Sequence, residues 1–323
     1  MAVGAPQGLI TTDNVPSSIL YTEITRSIEL TAAERELFRD LFCVRTEKKT
    51  VRVAQSAARF RTGGDDHGEP GWDRYLYRDI SLSEPVKYHL AVGHSKEAWE
   101  RGLSSQEVRD LAQDAMKADE RLIQELVIAA MLKDGGFWDA SMSVAPPAYK
   151  MNSFTTSHDH YLAYNVSGSL AVAHIAAGTQ TILEHGYAQN GGLMGWMNSA
   201  QAEKLVGKAE LNTTSNYVTT PTIARLQEAG VFPENPITLA GVPLVVNDWV
   251  PENYVLIVDT NVKPCYWRDV EGPGKDLITE TEDDFTKVVT MYRRYGSVKV
   301  TQRGAGACIY LGGASWTDPT FDY

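Results

Sequence analysis

Residues 286–313 read TKVVTMYRRYGSVKVTQRGAGACIYLGG, near the end of a chain of 323 residues. β-Branched and aromatic residues form short runs here, and Tyr295-Gly296 and the glycines Gly304 and Gly306 separate them. Such runs, bounded by turn-forming residues, are typical of β-strands. The pattern therefore predicts a strand, a turn at Tyr295-Gly296 and two further short strands. No residue here suggests catalysis, whereas three arginines suit contacts with other protein: Arg293, Arg294 and Arg303.

The composition is that of a globular protein, because 43% of the residues are hydrophobic and 22% are charged. The formal net charge of −11 argues against sequence-independent binding to DNA, which requires clustered Lys and Arg to neutralise phosphates. The cysteines are few and far apart, which indicates buried thiols rather than disulfides or a zinc site: Cys43, Cys265 and Cys308. The N-terminus lacks a signal-peptide pattern, so we expect synthesis in the cytoplasm. We expect no membrane partner either, because the longest apolar run, 126–132, is far shorter than the roughly 20 residues of a membrane helix.

The first 50 residues predict an N-terminal arm followed by a short helix. Residues 1 to about 30 show little periodicity and contain Pro6, Gly8 and Pro16, which favours an extended arm. The sequence Thr31-Ala-Ala-Glu34 matches a capping box. We therefore expect the helix to begin there and to bury one apolar face: Leu37, Phe38 and Leu41.

Residues 51–83 predict a long β-hairpin with a turn-rich tip, GGDDHGEPG, at 63–71. Arms of about ten residues at about 3.3 Å each would extend on the order of 30 Å. A lone two-stranded hairpin is at best marginally stable in water, so this one should lie on another surface. Its arginines and aromatic residues are candidates for contacts with a neighbouring copy: Arg59, Arg61, Trp72, Arg74, Tyr75, Tyr77 and Arg78.

The clearest predicted helix covers residues 104–134. Ser104 and Glu107 match a capping box at its start, and Gly135-Gly136 follows its end. Apolar residues recur at helical spacing, with a charged face in the first half and an almost wholly apolar second half. We expect the helix to run from an exposed surface into a core.

The remaining sequence is mixed, with one strand before the long helix, at 86–92, and several elements after it. Turn residues and caps predict helices at 169–185, 199–206 and 221–229. Short β-branched or aromatic runs predict strands at 242–247, 254–259 and 264–268. The fold class is therefore α+β, with strands from early and late sequence sharing a sheet.

The order of these elements resembles the tailed-phage major capsid proteins of the Hong Kong 97 fold. The resemblance covers nearly the whole chain and includes two loose motifs, ITLAGVPLVVNDWVP at 237–251 and YGSVKVTQRGAGACIYLGG at 295–313. It implies a Hong Kong 97-like fold with an N-terminal arm and short helix (1–50) and an extended loop (51–83). It also implies a peripheral domain (84–148 and 264–323) that includes the spine helix 104–134, and an axial domain (149–263).

The resemblance also implies a function as a structural shell protein rather than an enzyme, with no cofactor. Copies would assemble into hexamers and pentamers of an icosahedral bacteriophage capsid, which encloses double-stranded DNA without sequence-specific binding. Assembly would take place in the cytoplasm of the bacterial host, with a portal protein and a separate scaffolding protein, unless the chain is a processed form. A decoration protein is a further partner, for which Trp316, Phe321 and Tyr323 are candidate anchors. The same aromatic residues also suit packing against the peripheral strands.

One covalent feature of some family members is not expected here. Those members join the extended loop to a neighbour by an isopeptide bond between Lys and Asn. Residues 51–83 contain no Lys, and no Asn follows Asn261. The joint between subunits should therefore be noncovalent.

Two other functions compete with the capsid interpretation. An encapsulin-like compartment would share the fold and hold a cargo enzyme. A metal-dependent hydrolase would use His158 and His160, with Asp139 and His174 elsewhere in the sequence. No H-E-x-x-H spacing supports this, so no metal ligand is predicted. We expect His174 to be a satisfied core residue, and His185 to meet the free carbonyl groups at the end of its helix.

Overall fold

A computed structural model describes residues 9–54, 77–149, 152–166, 169–205, 227, 236–270, 277–283 and 287–321. In this part of the chain the helices are α1 (Ser17–Arg35), α2 (Leu37–Phe42), α3 (Lys96–Glu100), α4 (Ser105–Leu132), α5 (Val172–Glu184) and α6 (Ser199–Leu205). The early strands are β1 (Cys43–Thr46), β2 (Thr50–Ala54), β3 (Tyr77–Ser81), β4 (Val86–Ser95), β5 (Tyr161–Ala163) and β6 (Leu193–Met197). The later strands are β7 (Ile237–Leu239), β8 (Val242–Val246), β9 (Tyr254–Asp259), β10 (Cys265–Arg268), β11 (Leu277–Asp283), β12 (Lys287–Val300) and β13 (Gly306–Tyr310). The α+β class is confirmed.

The long helix α4 has the start that its sequence predicts. The backbone N–H of Glu107 donates to Ser104 Oγ, and the Glu107 carboxylate accepts from the Ser104 N–H at 2.8 Å. Its 28 residues span about 42 Å at 1.5 Å per residue. The second half is buried almost all round, from Ile123 to Leu132, in the largest core. The helix therefore runs into a core, as predicted.

The N-terminal segment differs from its prediction, because residues 17–35 form helix α1 rather than an extended arm. Leu20, Tyr21 and Ile24 pack against the first half of α4. Thr31 lies inside this helix, so the predicted capping box does not begin a new one. Tertiary packing on α4 outweighs the weak local signal, since most helix stability comes from a buried face.

The strand β12 is continuous over 14 residues, so the predicted turn at Tyr295-Gly296 is wrong. It pairs antiparallel with β4, β10 and β11, and β1 adds to β10 to complete a five-stranded sheet. A Cβ atom at Gly296 would lie 2.3 Å from the Trp267 ring. The glycine is therefore needed to admit the indole of Trp267, which is fully buried, and not to reverse the chain.

The base of the predicted hairpin is present as strands β2 and β3, which pair antiparallel from Thr50–Ser81 to Ala54–Tyr77. Val51, Val53, Ile80 and Leu82 form a buried cluster on Tyr266 of β10. The base therefore lies on the five-stranded sheet, as a two-stranded hairpin requires. The predicted tip, 63–71, lies outside the described residues.

A second sheet has six strands in the order β5-β13-β9-β6-β8-β7. Helix α5 packs on it through Ile175 and Ile182, and Gly178 lets the helix approach Ile257 closely. The predicted elements at 169–185, 199–206, 242–247, 254–259 and 264–268 are all present, each within a few residues of its predicted limits. The predicted helix at 221–229 lies outside the described residues, apart from Gln227. The last strand, β13, pairs with β5 and β9, so residues 306–310 share a sheet with the range assigned to the axial domain.

The described helices include none with the length and apolar character needed to cross a membrane.

Candidate assembly surface and histidine cluster

Arg294 lies inside the molecule rather than on a contact surface. Its side chain is 2% exposed and forms a two-pronged ion pair with Asp119 of α4, with Nη2 2.6 Å from Oδ2. Its Nη1 atom also donates to Glu36 Oε1 at 3.1 Å. Because it joins β12, α4 and the α1–α2 connection within one chain, Arg294 contributes to folding and is not available to a neighbour.

Arg78 and Arg303, both predicted contact residues, meet at one cleft. The cleft has a volume of about 260 Å³ and also contains Val53 and Ile80 of the hairpin base, Trp138, Tyr149 and His185. The Arg303 guanidinium lies 5.4 Å from the centre of the Trp138 ring, and its Nη1 atom is 2.9 Å from Met142 Sδ. Residues from the early and late parts of the sequence thus form one surface, which we call the arginine cleft.

The arginine cleft is positively charged in an acidic chain. Burial, together with Arg303 and Arg78, lowers the pKa of Lys299, and burial and Arg78 lower the pKa of Arg303. Within the described part of the chain, no carboxylate forms an ion pair with Arg78 or Arg303. The nearby Arg52 differs, because Asp79 on the facing strand binds it at 2.9 Å. The cleft therefore holds cations that a carboxylate from outside could neutralise.

The other predicted contact residues have varied positions. Arg293 is half-buried on β12, and Tyr77 is the first residue of β3. Five candidates lie outside the described residues: Arg59, Arg61, Trp72, Arg74 and Tyr75. Of the aromatic residues near the C-terminus, Trp316 packs its ring against Tyr161 and Tyr254 of the same chain, at 4.8 and 5.5 Å between ring centres. Phe321 also packs on the core, whereas Tyr323 lies outside the described residues.

Three histidines form a cluster at the side of the arginine cleft: His158, His160 and His185. Their ring centres are 4.9–5.1 Å apart, and the nearest nitrogens of all three lie within 4.8 Å of one another. The Nε2 atoms of His158 and His185 are 2.9 Å apart, which is a hydrogen bond. His160 is fully buried, and its Nδ1 atom is 2.6 Å from the carbonyl oxygen of Gly306 at the start of β13.

Burial controls the charge of this cluster. It lowers the pKa of His160 to about 3 and the pKa of His185 to about 4, and neighbouring histidines add to both shifts. Burial also lowers the pKa of His158. All three rings are therefore neutral at pH 7.

The position of His185 corrects its prediction. Its side chain contacts His158 and stacks on Phe154 at 4.2 Å, rather than meeting carbonyl groups at the end of α5. No local pattern indicates this contact, because His160 and His185 lie on separate segments that only the packing of β5 and α5 brings together. His174 follows its prediction as a satisfied residue, since its Nδ1 atom accepts from the Ala171 N–H and its ring stacks on Tyr164.

Asp134 lies near three other carboxylates, those of Asp318, Asp139 and Asp159. Partial burial, followed by Asp318, Asp139 and Asp159, raises the pKa of Asp134 from 3.8 to about 6. The folded protein therefore keeps this proton to a higher pH than the unfolded chain does, and stability is lost as pH rises from 3.8 to about 6.

Asp134→Asn is expected to make the protein more stable than the parent at pH 7 and to have little effect at pH 4. The amide cannot ionise, so the repulsion that develops above the folded pKa is removed. Urea unfolding at both pH values measures the difference. Asp110→Asn, at an exposed position of α4, serves as the control for replacing a carboxylate by an amide. An equal change at both pH values for Asp134→Asn would contradict the prediction.

Comparison with known proteins gives structural matches alone. No family model and no curated protein matches the sequence. A structure from Mycobacterium phage Patience matches with a TM-score of 0.63 at 16% identity, over 99% of this chain and 97% of the other. The mature capsid of bacteriophage PhiM1 matches with a TM-score of 0.56 at 12% identity, over 85% and 86% of the two chains. The capsid of the native GTA particle matches with a TM-score of 0.53 at 12% identity, over 86% and 91%.

The chain has the Hong Kong 97 fold. Helix α4 occupies the range predicted for the spine helix, and the β2–β3 pair is the base of the predicted extended loop. The arginine cleft lies beside the base of the β2–β3 hairpin, and the histidine cluster lies next to the cleft.

Proposed function

We propose that this chain is the structural shell protein of an icosahedral bacteriophage capsid, assembling into hexamers and pentamers. The observation that carries the proposal is the match to phage and GTA capsid structures along nearly the full length of both chains. We therefore propose that the protein acts through assembly and not as an enzyme.

The arginine cleft supports a role in assembly. Among the described residues, Arg78 and Arg303 form no ion pair with a carboxylate, and they lie at the base of a loop whose family role is to cross to a neighbour. We propose that carboxylates of an adjacent copy enter this cleft. The joint is noncovalent, because residues 51–83 contain no Lys and no Asn follows Asn261.

The domain division also remains part of the proposal. Residues 1–50 form the arm and its helices, 51–83 the extended loop, 84–148 and 264–323 the peripheral domain, and 149–263 the axial domain. The remaining loop candidates and Arg293 would then contact neighbouring subunits: Arg59, Arg61, Trp72, Arg74, Tyr75 and Tyr77. Strand β13 links the two domains, because it follows the peripheral strand β12 and pairs with β9 of the axial sheet.

The proposed partners follow from the same role. The shell encloses double-stranded DNA, and its net charge of −11 suits a container that does not grip the phosphates. A portal and a separate scaffolding protein act during assembly in the host cytoplasm, and a decoration protein can bind the finished virion.

Arg78→Ala is expected to reduce assembly while leaving the fold of the subunit intact. An exposed ion pair contributes about 0–1 kcal/mol, so loss of one per contact raises the concentration needed for assembly by up to about fivefold. Sedimentation velocity measures the assembled fraction across a concentration series, and circular dichroism checks the fold. Arg101→Ala is the matched control, since Arg101 forms an exposed pair with Glu97 on α3, outside the cleft. Normal assembly of Arg78→Ala, or equal loss in the control, would count against the cleft as an interface.

A further inference from the structure

The histidine cluster has an atom that its surroundings leave unused. A carbonyl oxygen can only accept, so the hydrogen bond to Gly306 places the ring proton of His160 on Nδ1 and the lone pair on Nε2. That Nε2 atom is fully buried and has no hydrogen-bond partner among the described residues. A buried acceptor without a partner loses the hydrogen bonds that it would make with water, which destabilises the folded state. A bound group that accepts this lone pair would therefore remove the free-energy cost of burying the His160 Nε2 atom without a partner.

The position of His160 is fixed by the backbone as well as by its ring. Its N–H donates to the Trp138 carbonyl at 2.8 Å, and its own carbonyl accepts from the Cys308 N–H at 2.8 Å. A histidine that binds a metal commonly donates its other ring N–H to a carbonyl group, which orients the ring. His160 has this arrangement.

We propose that His158, His160 and His185 bind one divalent transition-metal ion, zinc in the cell, through their Nε2 atoms. Three neutral imidazoles and one water molecule form a common zinc coordination sphere, with Zn–N distances of about 2.0–2.1 Å. The present nitrogen separations, between 2.9 Å and 4.8 Å, bracket the roughly 3.3 Å between ligands that those bond lengths give in a tetrahedron. His158 and His185 are only partly buried, which leaves their rings room to rotate toward that geometry.

Metal binding leaves the number of protons on the three histidine rings unchanged. One proton now lies between the Nε2 atoms of His158 and His185, because that hydrogen bond needs one donor. When the metal binds, the ring that carries this proton changes tautomer: its Nε2 atom loses a proton and its Nδ1 atom takes one up, so no proton is released overall. The histidine ligands remain neutral, and the ion keeps its charge. Asp159, which lies between His158 and His160 in the sequence, is the adjacent carboxylate.

A bound ion would cross-link separate segments of one subunit. The ion would join the segment before β5, the end of α5 and, through the Gly306 hydrogen bond, the start of β13. An ion that binds the folded state and not the unfolded chain stabilises it by about 2.7 kcal/mol at a concentration 100 times its Kd. His185 also lines the arginine cleft, so one of the three ligands lies at a surface opening.

The test uses the purified full chain, treated with a chelator and titrated with zinc chloride by calorimetry. We expect one equivalent to bind and the thermal unfolding midpoint to rise, and we expect cobalt to give the visible absorption of a four-coordinate site. His158→Gln and His185→Gln should each weaken binding by more than the roughly 10–100-fold of an outer-shell change. His174→Gln is the control, since this histidine stacks on Tyr164 outside the cluster, and should bind as the parent does.

Three results would overturn the proposal. They are binding well below one equivalent, unchanged affinity in both His158→Gln and His185→Gln, or equal loss in His174→Gln. His158 and His185 are partly exposed, so their variants should fold, and circular dichroism confirms this before titration. The readout does not depend on assembly, so the proposal stands or falls separately from the proposed function.

Discussion

Arg294→Met is expected to lower the free energy of unfolding by about 3–5 kcal/mol, because it removes the cation that the largely buried carboxylates of Asp119 and Glu36 share. Asp119 and Glu36 are 9% and 14% exposed, and both contact the Arg294 guanidinium. The arginine also joins β12 to α4, so the loss should reduce the cooperativity between the five-stranded sheet and the long helix. Urea unfolding followed by circular dichroism measures the change.

The matched control for this substitution is Arg101→Met. Arg101 and Glu97 form an exposed pair, 76% and 67% accessible, so its loss should cost about 0–1 kcal/mol. The double variant Arg294→Met with Asp119→Asn should recover part of the loss, since the largely buried negative charge of Asp119 is removed as well. Similar losses for Arg294→Met and Arg101→Met would show that the buried network contributes little.

Trp267→Ala is expected to destabilise the protein by about 3–5 kcal/mol, the usual cost of truncating a buried aromatic residue. The indole is fully buried between Gly296 of β12 and the Arg39 guanidinium, which lies 5.3 Å from the ring centre. Its removal leaves a cavity at the place where β10 and β12 pair. Chemical unfolding gives the loss directly.

Trp249→Ala is the matched control for this cavity. Trp249 is only partly buried, with Arg121 4.8 Å from its ring centre, so its truncation removes less packing. Trp267→Phe should recover part of the loss, since it refills some of the volume. If Trp267→Ala lowered the free energy of unfolding no more than Trp249→Ala does, the large packing contribution expected of the Trp267 indole would be contradicted.

Local sequence signals predicted those parts of the fold that local chemistry determines. Ser104 and Glu107 determine the start of α4 through a capping box, which the local sequence reveals. A short run of β-branched and aromatic residues located β9, and extended arms around a turn-rich tip located the hairpin base, where Val51, Val53 and Ile80 share one face. Element order then led to the fold, because few folds place a hairpin before a long helix and several strands after it.

The errors arose where distant residues determine the structure. Gly296 is read as a turn from sequence, but its lack of a side chain admits Trp267, which lies on the neighbouring strand β10. Helix α1 forms because Leu20, Tyr21 and Ile24 find a partner face on α4, much later in the chain. Distant residues also determine two side-chain contacts that the sequence did not reveal. Arg294 of β12 pairs with Asp119 of α4, and His158 and His185 approach each other from separate segments.

The candidate site was therefore predicted only in part. The sequence indicated that Arg78 and Arg303 are contact residues, but only the fold brings them to one cleft beside Trp138. The same fold removes Arg294 from the surface and adds His185 to the pair of histidines that the sequence places together.

Electron microscopy of the purified chain tests the capsid proposal most directly. The protein is expressed in bacteria and imaged across a range of concentration and ionic strength, with and without a scaffolding protein from the same source. We predict closed icosahedral shells with hexameric and pentameric units. Subunits that remain monomeric under every condition would contradict the proposed role as a shell protein.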